Sequence, residues 1–368
     1  MPVLRVAMIL VSLNRLPDKD TLGRRAWHTF RLDRARILIC DLFVQSRTPL
    51  LWVRIAGPQT RQKHDRDTED DRMSRPPDLT PAGAAEMITI GGDLTVRRLG
   101  FGAMRLASST VWERPGAAET VRALLRRVVA LGVNFIDTAD IYGPEVSERA
   151  LADSLFPYKK DLVIATKGGL AGPGRGQFQP DGRPDHLRLA CEASLRRLKL
   201  TEIALYQLHT VDPQVPLEDS VGALRDLQTA GKIRHIGLSN VSATQLQRAR
   251  AVAPIRSVQN RYSLLDRRSD RVLATCTQEG IAFLPWAPLA RGQLGLSGSV
   301  VSLLAATRGV TPAQIALAWL LHRAPVMVPI PGTASMPHLE ENVAAAGITL
   351  DPEELAQLEV ISGSATQA

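Results

Sequence analysis

Short apolar runs alternate along the chain with longer segments in which apolar residues recur every three or four positions. The short runs, such as residues 133–136 and 203–208, have the length of buried strands and are bounded by turn or charged residues. The longer segments, such as residues 117–131 and 184–198, have the spacing of helices that bury one face. The pattern therefore predicts strands and helices in alternation.

This alternation repeats about eight times over roughly 260 residues, the usual size of a closed (β/α)8 TIM barrel. The predicted strands are residues 99–101, 133–136, 161–166, 203–208, 233–238, 257–259, 282–285 and 327–329. The predicted helices are residues 117–131, 146–155, 184–198, 217–230, 243–253, 268–279, 312–321, 336–346 and 352–360.

An open doubly wound α/β sheet is the alternative fold. Such a sheet normally carries a glycine-rich dinucleotide-binding turn after its first strand. Residues 100–104 lack the third glycine of that turn and the helix that follows it. The barrel is therefore the favoured fold.

Polar residues stand at or just past the carboxyl ends of several predicted strands, where a barrel builds its active site. Asp137, Lys167 and His209 follow three consecutive strands, and Tyr142 lies in the loop after Asp137. Taken singly, these residues are explained as a helix N-cap, a solvated strand end, a satisfied polar group and a turn residue. Their shared placement favours catalysis, whereas Asp140 in the same loop is expected to be a capping or solvated residue.

The four groups together suit the transfer of a proton to a carbonyl oxygen that also receives a hydride on its carbon. A tyrosine hydroxyl is a poor acid, with a pKa near 10, unless a cation favours its phenolate. Lys167 supplies the cation, and Asp137 would pair with its ammonium group. A neutral His209 would orient the carbonyl oxygen beside Tyr142, the predicted general acid.

Five segments resemble the aldo-keto reductase family, and the resemblance extends from about Ile88 to Ile361. They are GVNFIDTADIYG (132–143), IATK (164–167), YQLH (206–209), GLSN (237–240) and IPGT (330–333). The resemblance implies a (β/α)8 barrel that reduces aldehydes or ketones to alcohols reversibly with NAD(P)H. It also implies that Asp137, Tyr142, Lys167 and His209 are the catalytic residues.

The resemblance further implies the residues that bind the nicotinamide cofactor. The chain contains an aromatic platform for the nicotinamide ring and polar groups for its carboxamide. It also contains a loop for the pyrophosphate and a helix N-terminus for the adenosine phosphate. The implied set is Gly102, Ala103, Met104, Ser239, Asn240, Gln259, Trp286, Leu289, Arg291, Gly292, Gly332, Thr333, Ser335, His338, Glu341 and Asn342. Taken singly, Gln259 and Trp286 are more often packing residues, and a Gly-Thr turn before a helix is more often a cap.

One departure from the family pattern concerns the 2′-phosphate of NADPH. Gly332 and His338 stand where NADPH-specific members commonly place a lysine and an arginine. The family's habit favours NADP(H), but NAD(H) stays possible because a histidine is mostly neutral at pH 7.

The candidate substrate pocket is apolar and aromatic, which suits an aldehyde or ketone with a hydrophobic body. Its predicted residues are Met104, Trp112, Tyr142, Val211 and Trp286. Residues 168–184 are predicted to form either part of its rim or a surface loop. Two other functions stay open, a Schiff-base lyase that uses Lys167 and a non-catalytic nicotinamide-binding redox sensor or regulatory subunit.

The first 85 residues lack the alternation of the barrel, and residues 61–81 are rich in charge and proline. Residues 88–96, directly after Met87, predict a β-hairpin that opens the enzyme. We expect residues 1–85 to be a disordered extension or an artefact of start assignment, with a partner-binding extension as the alternative. Residues 86–368 are expected to form the barrel.

Composition adds constraints on location and partners. Residues 1–86 carry 15 basic and 11 acidic residues, half of the net charge of +8, so neither part is expected to bind nucleic acid. No apolar run approaches the roughly 20 residues of a membrane span. Cys40, Cys191 and Cys276 lack paired spacing, which predicts a reducing cytoplasm and no structural metal. The oligomeric state does not follow from the sequence.

Overall fold

The structure is a computed structural model that describes residues 27–32, 35–42, 50–56, 81–108, 116–174, 177–295 and 299–361. The chain divides into two units, Met1–Ser74 and Arg75–Ala368. In the first, strands Trp27–Leu32 (β1), Ala35–Leu42 (β2) and Leu50–Ala56 (β3) form an antiparallel sheet in chain order. The interpretation of residues 1–85 as a disordered or non-native extension stays a prediction.

The second unit opens with a hairpin and continues as a parallel sheet. Strands Met87–Ile90 (β4) and Leu94–Arg97 (β5) pair antiparallel, as predicted for residues 88–96. The later strands are Phe101–Gly102 (β6), Phe135–Asp137 (β7), Val163–Gly168 (β8), Leu170–Gly174 (β9), Gln177–Pro180 (β10), Ile203–Leu208 (β11), Ile233–Ser239 (β12), Ile255–Gln259 (β13) and Ala282–Phe283 (β14). All of these except the separate hairpin β9–β10 form one seven-stranded parallel sheet in consecutive order.

The proline-containing segment 327–331 lies between the two ends of this sheet. Val328 donates to the carbonyl oxygen of Phe283 at 2.8 Å, and Gly100 donates to that of Pro329 at 2.9 Å. Proline has no N–H to donate, so the segment is not a regular strand although it bonds to both edges. These bonds close the predicted barrel, and the predicted fold class is confirmed.

Helices alternate with the parallel strands and cover the outside of the barrel. They are Ala117–Ala130 (α1), Val146–Leu155 (α2), Pro184–Leu198 (α3), Leu217–Thr229 (α4), Ala243–Arg250 (α5), Asp270–Glu279 (α6), Val300–Arg308 (α7), Pro312–Arg323 (α8), Met336–Ala344 (α9) and Pro352–Glu359 (α10). Helix α7 was not predicted from the sequence. It begins at a Ser299 cap, whose hydroxyl accepts the Ser302 N–H at 3.2 Å.

No single helix in the described ranges is both long and apolar enough to cross a membrane. Helices Val300–Arg308 and Pro312–Arg323 meet the length and composition criteria only as a pair, and they are bent by 101° relative to each other.

The barrel interior changes from apolar to polar along the strand direction. Ile90, Leu94 and Val96 of the β4–β5 hairpin pack in one buried cluster with inward residues of the strands, so the hairpin seals one end. Val163 and Ala165 of β8 belong to this cluster. Side chains alternate between the two faces of a strand, so Lys167 points into the same interior one layer further on.

Candidate active site

The four predicted catalytic residues lie together at the carboxyl end of the barrel. Asp137 ends β7, Lys167 lies in β8, and His209 follows β11. Tyr142 lies in the turn after β7, and its ring contacts that of His209 edge to face, with centroids 5.8 Å apart. Neighbouring parallel strands thus bring together residues that are distant in sequence.

Lys167 is the central cation of this cluster and is completely buried. Its ammonium group donates to Asp137 Oδ2 at 2.6 Å, to the Thr138 carbonyl oxygen at 2.8 Å and to the Tyr142 hydroxyl at 3.3 Å. Burial by itself would lower the pKa of Lys167, but Asp137 and Tyr142 outweigh that effect and raise it. The group is therefore charged and aimed at Tyr142.

Burial raises the pKa of Tyr142 above its usual value of 10.0, and Lys167 is the largest influence in the opposite direction. Lys167 therefore favours the phenolate, as expected, but burial outweighs it and the net pKa of Tyr142 is raised. Loss of water penalises the phenolate, and the charge of Lys167 is already shared with Asp137, which itself raises the pKa of Tyr142. The hydroxyl stays protonated at neutral pH, as a proton donor must be.

His209 is held in its neutral form. Burial lowers the pKa of its imidazole well below 6.5, and the nearby Lys167 lowers it further. Its Nδ1 is buried and has no hydrogen-bond partner among the residues described. The neutral imidazole inferred from the sequence agrees with this environment.

Asp137 is fixed by two amides as well as by Lys167. Its Oδ1 accepts hydrogen bonds from Gln207 at 3.0 Å and Gln259 at 2.8 Å. Gln259 was expected to face a cofactor carboxamide, whereas here its amide nitrogen faces Asp137. Sequence reasoning missed Gln207, although a polar residue inside an apolar strand, two positions before His209, marks the same inward face.

The predicted aromatic platform is anchored to the catalytic end of the barrel. The Trp286 indole N–H donates to Asn240 Oδ1 at 2.9 Å. The Asn240 amide donates in turn to the His209 carbonyl oxygen and to Ser239 Oγ, both at 3.1 Å. Ser239 and Asn240, predicted to hold a carboxamide, thus connect Trp286 with the strand end that carries His209.

The loop after Trp286 has an unusual backbone. Ala287, Ala290 and Arg291 adopt left-handed conformations with φ of 52°, 47° and 55°. Such angles are uncommon outside glycine and concentrate at ligand-binding sites. The Arg291 guanidinium lies 6.0 Å from the centre of the Trp286 ring. The loop, with its half-buried Leu289 and exposed Gly292, therefore presents a cation beside the platform.

The loop after residue 331 contains the remaining predicted cofactor residues. Thr333 Oγ1 accepts the Ser335 N–H at 3.0 Å, and the Ser335 side chain makes no capping bond to helix α9. A Cβ on Gly332 would lie 2.5 Å from the Gly102 carbonyl oxygen, so this backbone leaves no space for a lysine. His338 is exposed and helix α9 carries Glu341, half-buried, and Asn342, buried.

These groups fit a nicotinamide dinucleotide. An aromatic platform, a nearby arginine and an uncapped helix N-terminus match a flat ring, a pyrophosphate and a ribose phosphate respectively. Gly102 and Ala103 line the adjoining strand end and are buried, whereas Met104 is 58% exposed.

The family profile described as "Aldo/keto reductase family" matches residues 98–362. The chain belongs to the aldo-keto reductase family. This aldo-keto reductase is 45% identical over 282 residues to an uncharacterized oxidoreductase of Schizosaccharomyces pombe, covering 77% of this chain and 90% of that protein. It is 41% identical over 277 residues to pyridoxine 4-dehydrogenase of Escherichia coli, covering 74% of this chain and 96% of that protein.

Solved structures agree with this assignment. An aldo-keto reductase of Klebsiella pneumoniae in complex with NADPH superposes with a TM-score of 0.65 at 29% identity. The match covers 75% of this chain and 94% of the Klebsiella protein. This aldo-keto reductase is therefore an oxidoreductase that interconverts carbonyl compounds and alcohols.

The predicted rim segment of this aldo-keto reductase borders a cavity. Residues 168–184 contain the β9–β10 hairpin. A cavity of about 790 Å³ separates it from the loop after His209, and its lining includes Gln177, Gln179, Asp181, Arg183, Asp212 and Gln214. Of the predicted pocket residues, Val211 is half-buried and Trp112 lies outside the described residues.

Asp140, which was expected to be a capping or solvated residue, is not solvated. Its Oδ1 is buried and makes no hydrogen bond within the described part of the chain. Burial raises the pKa of its carboxyl group to about 7, and the nearby Glu148 adds to the effect. The catalytic loop therefore contains a carboxyl group that titrates near neutral pH.

Proposed function

We propose that this enzyme reduces aldehydes to primary alcohols with NADPH, reversibly, and that Tyr142 donates the proton. The observation that carries the proposal is the Lys167 ammonium group, which lies 3.3 Å from the Tyr142 hydroxyl and 2.6 Å from Asp137. When bound, the reduced nicotinamide supplies the hydride to the carbonyl carbon.

The residues of the site carry out the remaining steps of the reaction. As the C=O π bond breaks, Tyr142 gives its hydroxyl proton to the carbonyl oxygen, and Lys167 stabilises the phenolate left behind. Asp137 keeps the lysine charged and in place. His209 is neutral, because burial and the charge of Lys167 both disfavour a protonated imidazole. In this form it holds the substrate oxygen next to Tyr142.

For the cofactor, we propose NADPH as the preferred donor, with NADH accepted. The Klebsiella relative was solved with NADPH, and the uncapped N-terminus of helix α9 favours a phosphate group. Selectivity is expected to be modest because Gly332 has no side chain. His338→Arg should lower KM for NADPH several-fold and leave KM for NADH unchanged. Equal effects on both cofactors would contradict a contact between residue 338 and the 2′-phosphate.

For the substrate, we propose a small aromatic aldehyde that carries hydroxyl groups, such as pyridoxal. The support for this class is the Escherichia coli relative, which is named pyridoxine 4-dehydrogenase. We further propose a cytoplasmic location, since Cys191 and Cys276 are both free and buried.

The test is turnover of the full chain with NADPH and NADH, followed by the absorbance of the reduced nicotinamide. The panel contains aliphatic aldehydes, aromatic aldehydes and pyridoxal. Tyr142→Phe should abolish turnover and leave NADPH binding intact. Tyr158→Phe is the matched control and should remain active, because among the described residues the Tyr158 hydroxyl bonds only to the Leu198 carbonyl oxygen.

Two outcomes would replace the proposal. Tight NADPH binding without turnover of any carbonyl would favour a redox sensor. Covalent trapping of substrate on Lys167 by borohydride would favour a Schiff-base lyase.

A further inference from the structure

The two oxygens of the Asp137 carboxylate have different partners. Oδ2 accepts from Lys167 at 2.6 Å, and Oδ1 accepts from the amides of Gln207 and Gln259. Gln207 Oε1 also accepts from the Gln259 amide at 3.4 Å. The carboxylate is thus held from two further strands, β11 and β13, and its rotation about the side chain is restricted.

Gln207 occupies a space that the barrel leaves open for it. The side chain is completely buried. A Cβ on Gly237 of the neighbouring strand would lie 2.8 Å from Gln207 Cγ and 2.2 Å from Ser257 Oγ. The backbone of Gly237 is not left-handed, so glycine is needed there for space, and that space admits the Gln207 carboxamide.

We propose that Gln207 is a positioning residue for proton transfer. By donating to Oδ1 it turns the Asp137 carboxylate so that Oδ2 faces Lys167, and this keeps the ammonium group within reach of the Tyr142 hydroxyl. The inference rests on the proposed function of Tyr142 as the proton donor. Gln207 itself is outside the predicted cofactor set, although its Oε1 accepts from Gln259, which belongs to that set.

The physical reason is the cost of a buried carboxylate whose lone pairs lack donors. Such a group shifts towards protonation or rotates towards other donors, and either change weakens its hold on Lys167. Gln259 provides one donor to Oδ1. The second donor, Gln207, fixes the plane of the carboxylate as well as its position.

The first variant is Gln207→Met, which keeps the length of the side chain and removes both hydrogen bonds. A hydrogen bond to a charged group corresponds to a change of about 10- to 100-fold. We expect kcat to fall by that factor and the Kd for NADPH to change by much less, because Gln207 itself is outside the predicted cofactor set. Ser257→Ala is the control, because it alters the same interior layer without removing a bond to Asp137, and it should behave as wild type.

The second variant, Gln207→Glu, gives a pH readout that packing alone would not produce. The charged groups in this bond network are Asp137 and Lys167. A protonated glutamic acid at position 207 can donate to Asp137 as the amide does, whereas an ionised glutamate repels the Asp137 carboxylate. Activity should be retained at acidic pH and fall as pH rises, more steeply than the activity of the wild type over the same range. The thermal stability of this variant should fall over the same range. The carboxyl group introduced at position 207 is buried beside Asp137, so its pKa is higher in the folded protein than in the unfolded chain.

The results separate the inference from the proposed function. Gln207→Met with wild-type kcat, together with a pH profile for Gln207→Glu that matches the wild type's, would reduce Gln207 to a packing residue and overturn the inference. If Gln207→Met does not fold, the pH profile of Gln207→Glu decides. If the wild type turns over no carbonyl, the proposed function fails by itself, and the pH dependence of the stability of Gln207→Glu, against Gln207→Met, still tests the contact with Asp137.

Discussion

Lys167 Nζ lies 2.6 Å from Asp137 Oδ2, and both side chains are almost fully buried. Two opposite charges in a low-dielectric interior attract strongly, but each has lost its hydration, so the pair contributes little net stability. Loss of one partner leaves the other charge unpaired. The pair therefore serves to hold a charged ammonium group beside Tyr142. Variants that remove one partner or both should differ in their free energy of unfolding.

Lys167→Met should destabilise the protein by about 3–5 kcal/mol, because the Asp137 carboxylate is left buried without its cation. The double variant Asp137→Asn/Lys167→Met should recover a large part of that loss, since no buried charge remains. Both should lack turnover. Denaturant unfolding measures the free energies, and equal losses for the single and double variants would show that the ion pair is not coupled as described.

Asp140→Asn should change how stability depends on pH. The pKa of Asp140 is about 7 in the folded protein and about 4 in an unfolded chain. Between these values the folded state binds the extra proton, so the contribution of Asp140 to stability falls as pH rises from about 4 to about 7. The variant should gain thermal stability relative to wild type at pH 8 and not at pH 4.

The comparison for Asp140 is Asp153→Asn, since the Asp153 side chain is 67% exposed. The thermal stability of that variant should differ from that of the wild type by the same small amount at pH 4 and at pH 8. A gain for Asp140→Asn that does not depend on pH would mean that the carboxyl group is already ionised at acidic pH in the folded protein.

Trp286→Phe should weaken NADPH binding about five-fold, the effect of one neutral hydrogen bond. Phenylalanine keeps an aromatic face but loses the indole N–H that bonds to Asn240 at 2.9 Å, so the ring would be free to rotate. Calorimetric titration measures the Kd. Trp319→Phe is the comparison, because that indole bonds to Glu359 and stacks on Tyr262; it should lower stability and leave the Kd unchanged.

Arg98→Met should destabilise the barrel by about 2–4 kcal/mol. The buried guanidinium donates to the carbonyl oxygens of Leu321 and Ala324, both at 2.6 Å, and to that of Met327 at 3.3 Å. Methionine would leave these oxygens without their donor at the end of helix α8. Glu86→Gln should have little effect, since the Glu86 side chain is 79% exposed. Chemical denaturation distinguishes the two, and similar midpoints would contradict the argument.

Local patterns predicted most of the elements but not their irregular parts. Helix α7 was missed because Val300 to Ala306 is apolar at nearly every position, so that no amphipathic period marks it. The β9–β10 hairpin was missed because its glycines and prolines are typical of a loop. The last barrel segment was placed correctly, but its bonds to both ends of the sheet depend on residues far away in sequence.

Part of the candidate site could be predicted from the sequence, and part of it could not. Asp137, Tyr142, Lys167 and His209 were found from strand ends and from a family resemblance, and the structure brings them together. Gln207 was not found, because its meaning depends on Gln259, which is 52 residues further along the chain and meets it at Asp137. A contact between two strands on opposite sides of a third has no local pattern in the sequence.

The sequence by itself determined the order of strands and helices, the inward face of each strand and the chemical groups at the strand ends, because these depend on periodicity and residue type. The tertiary structure alone decided the electrostatics. The raised pKa of Tyr142 and Asp140 and the lowered pKa of His209 come first from burial. Desolvation is a property of everything packed around a group, and that packing exists only once the barrel has closed.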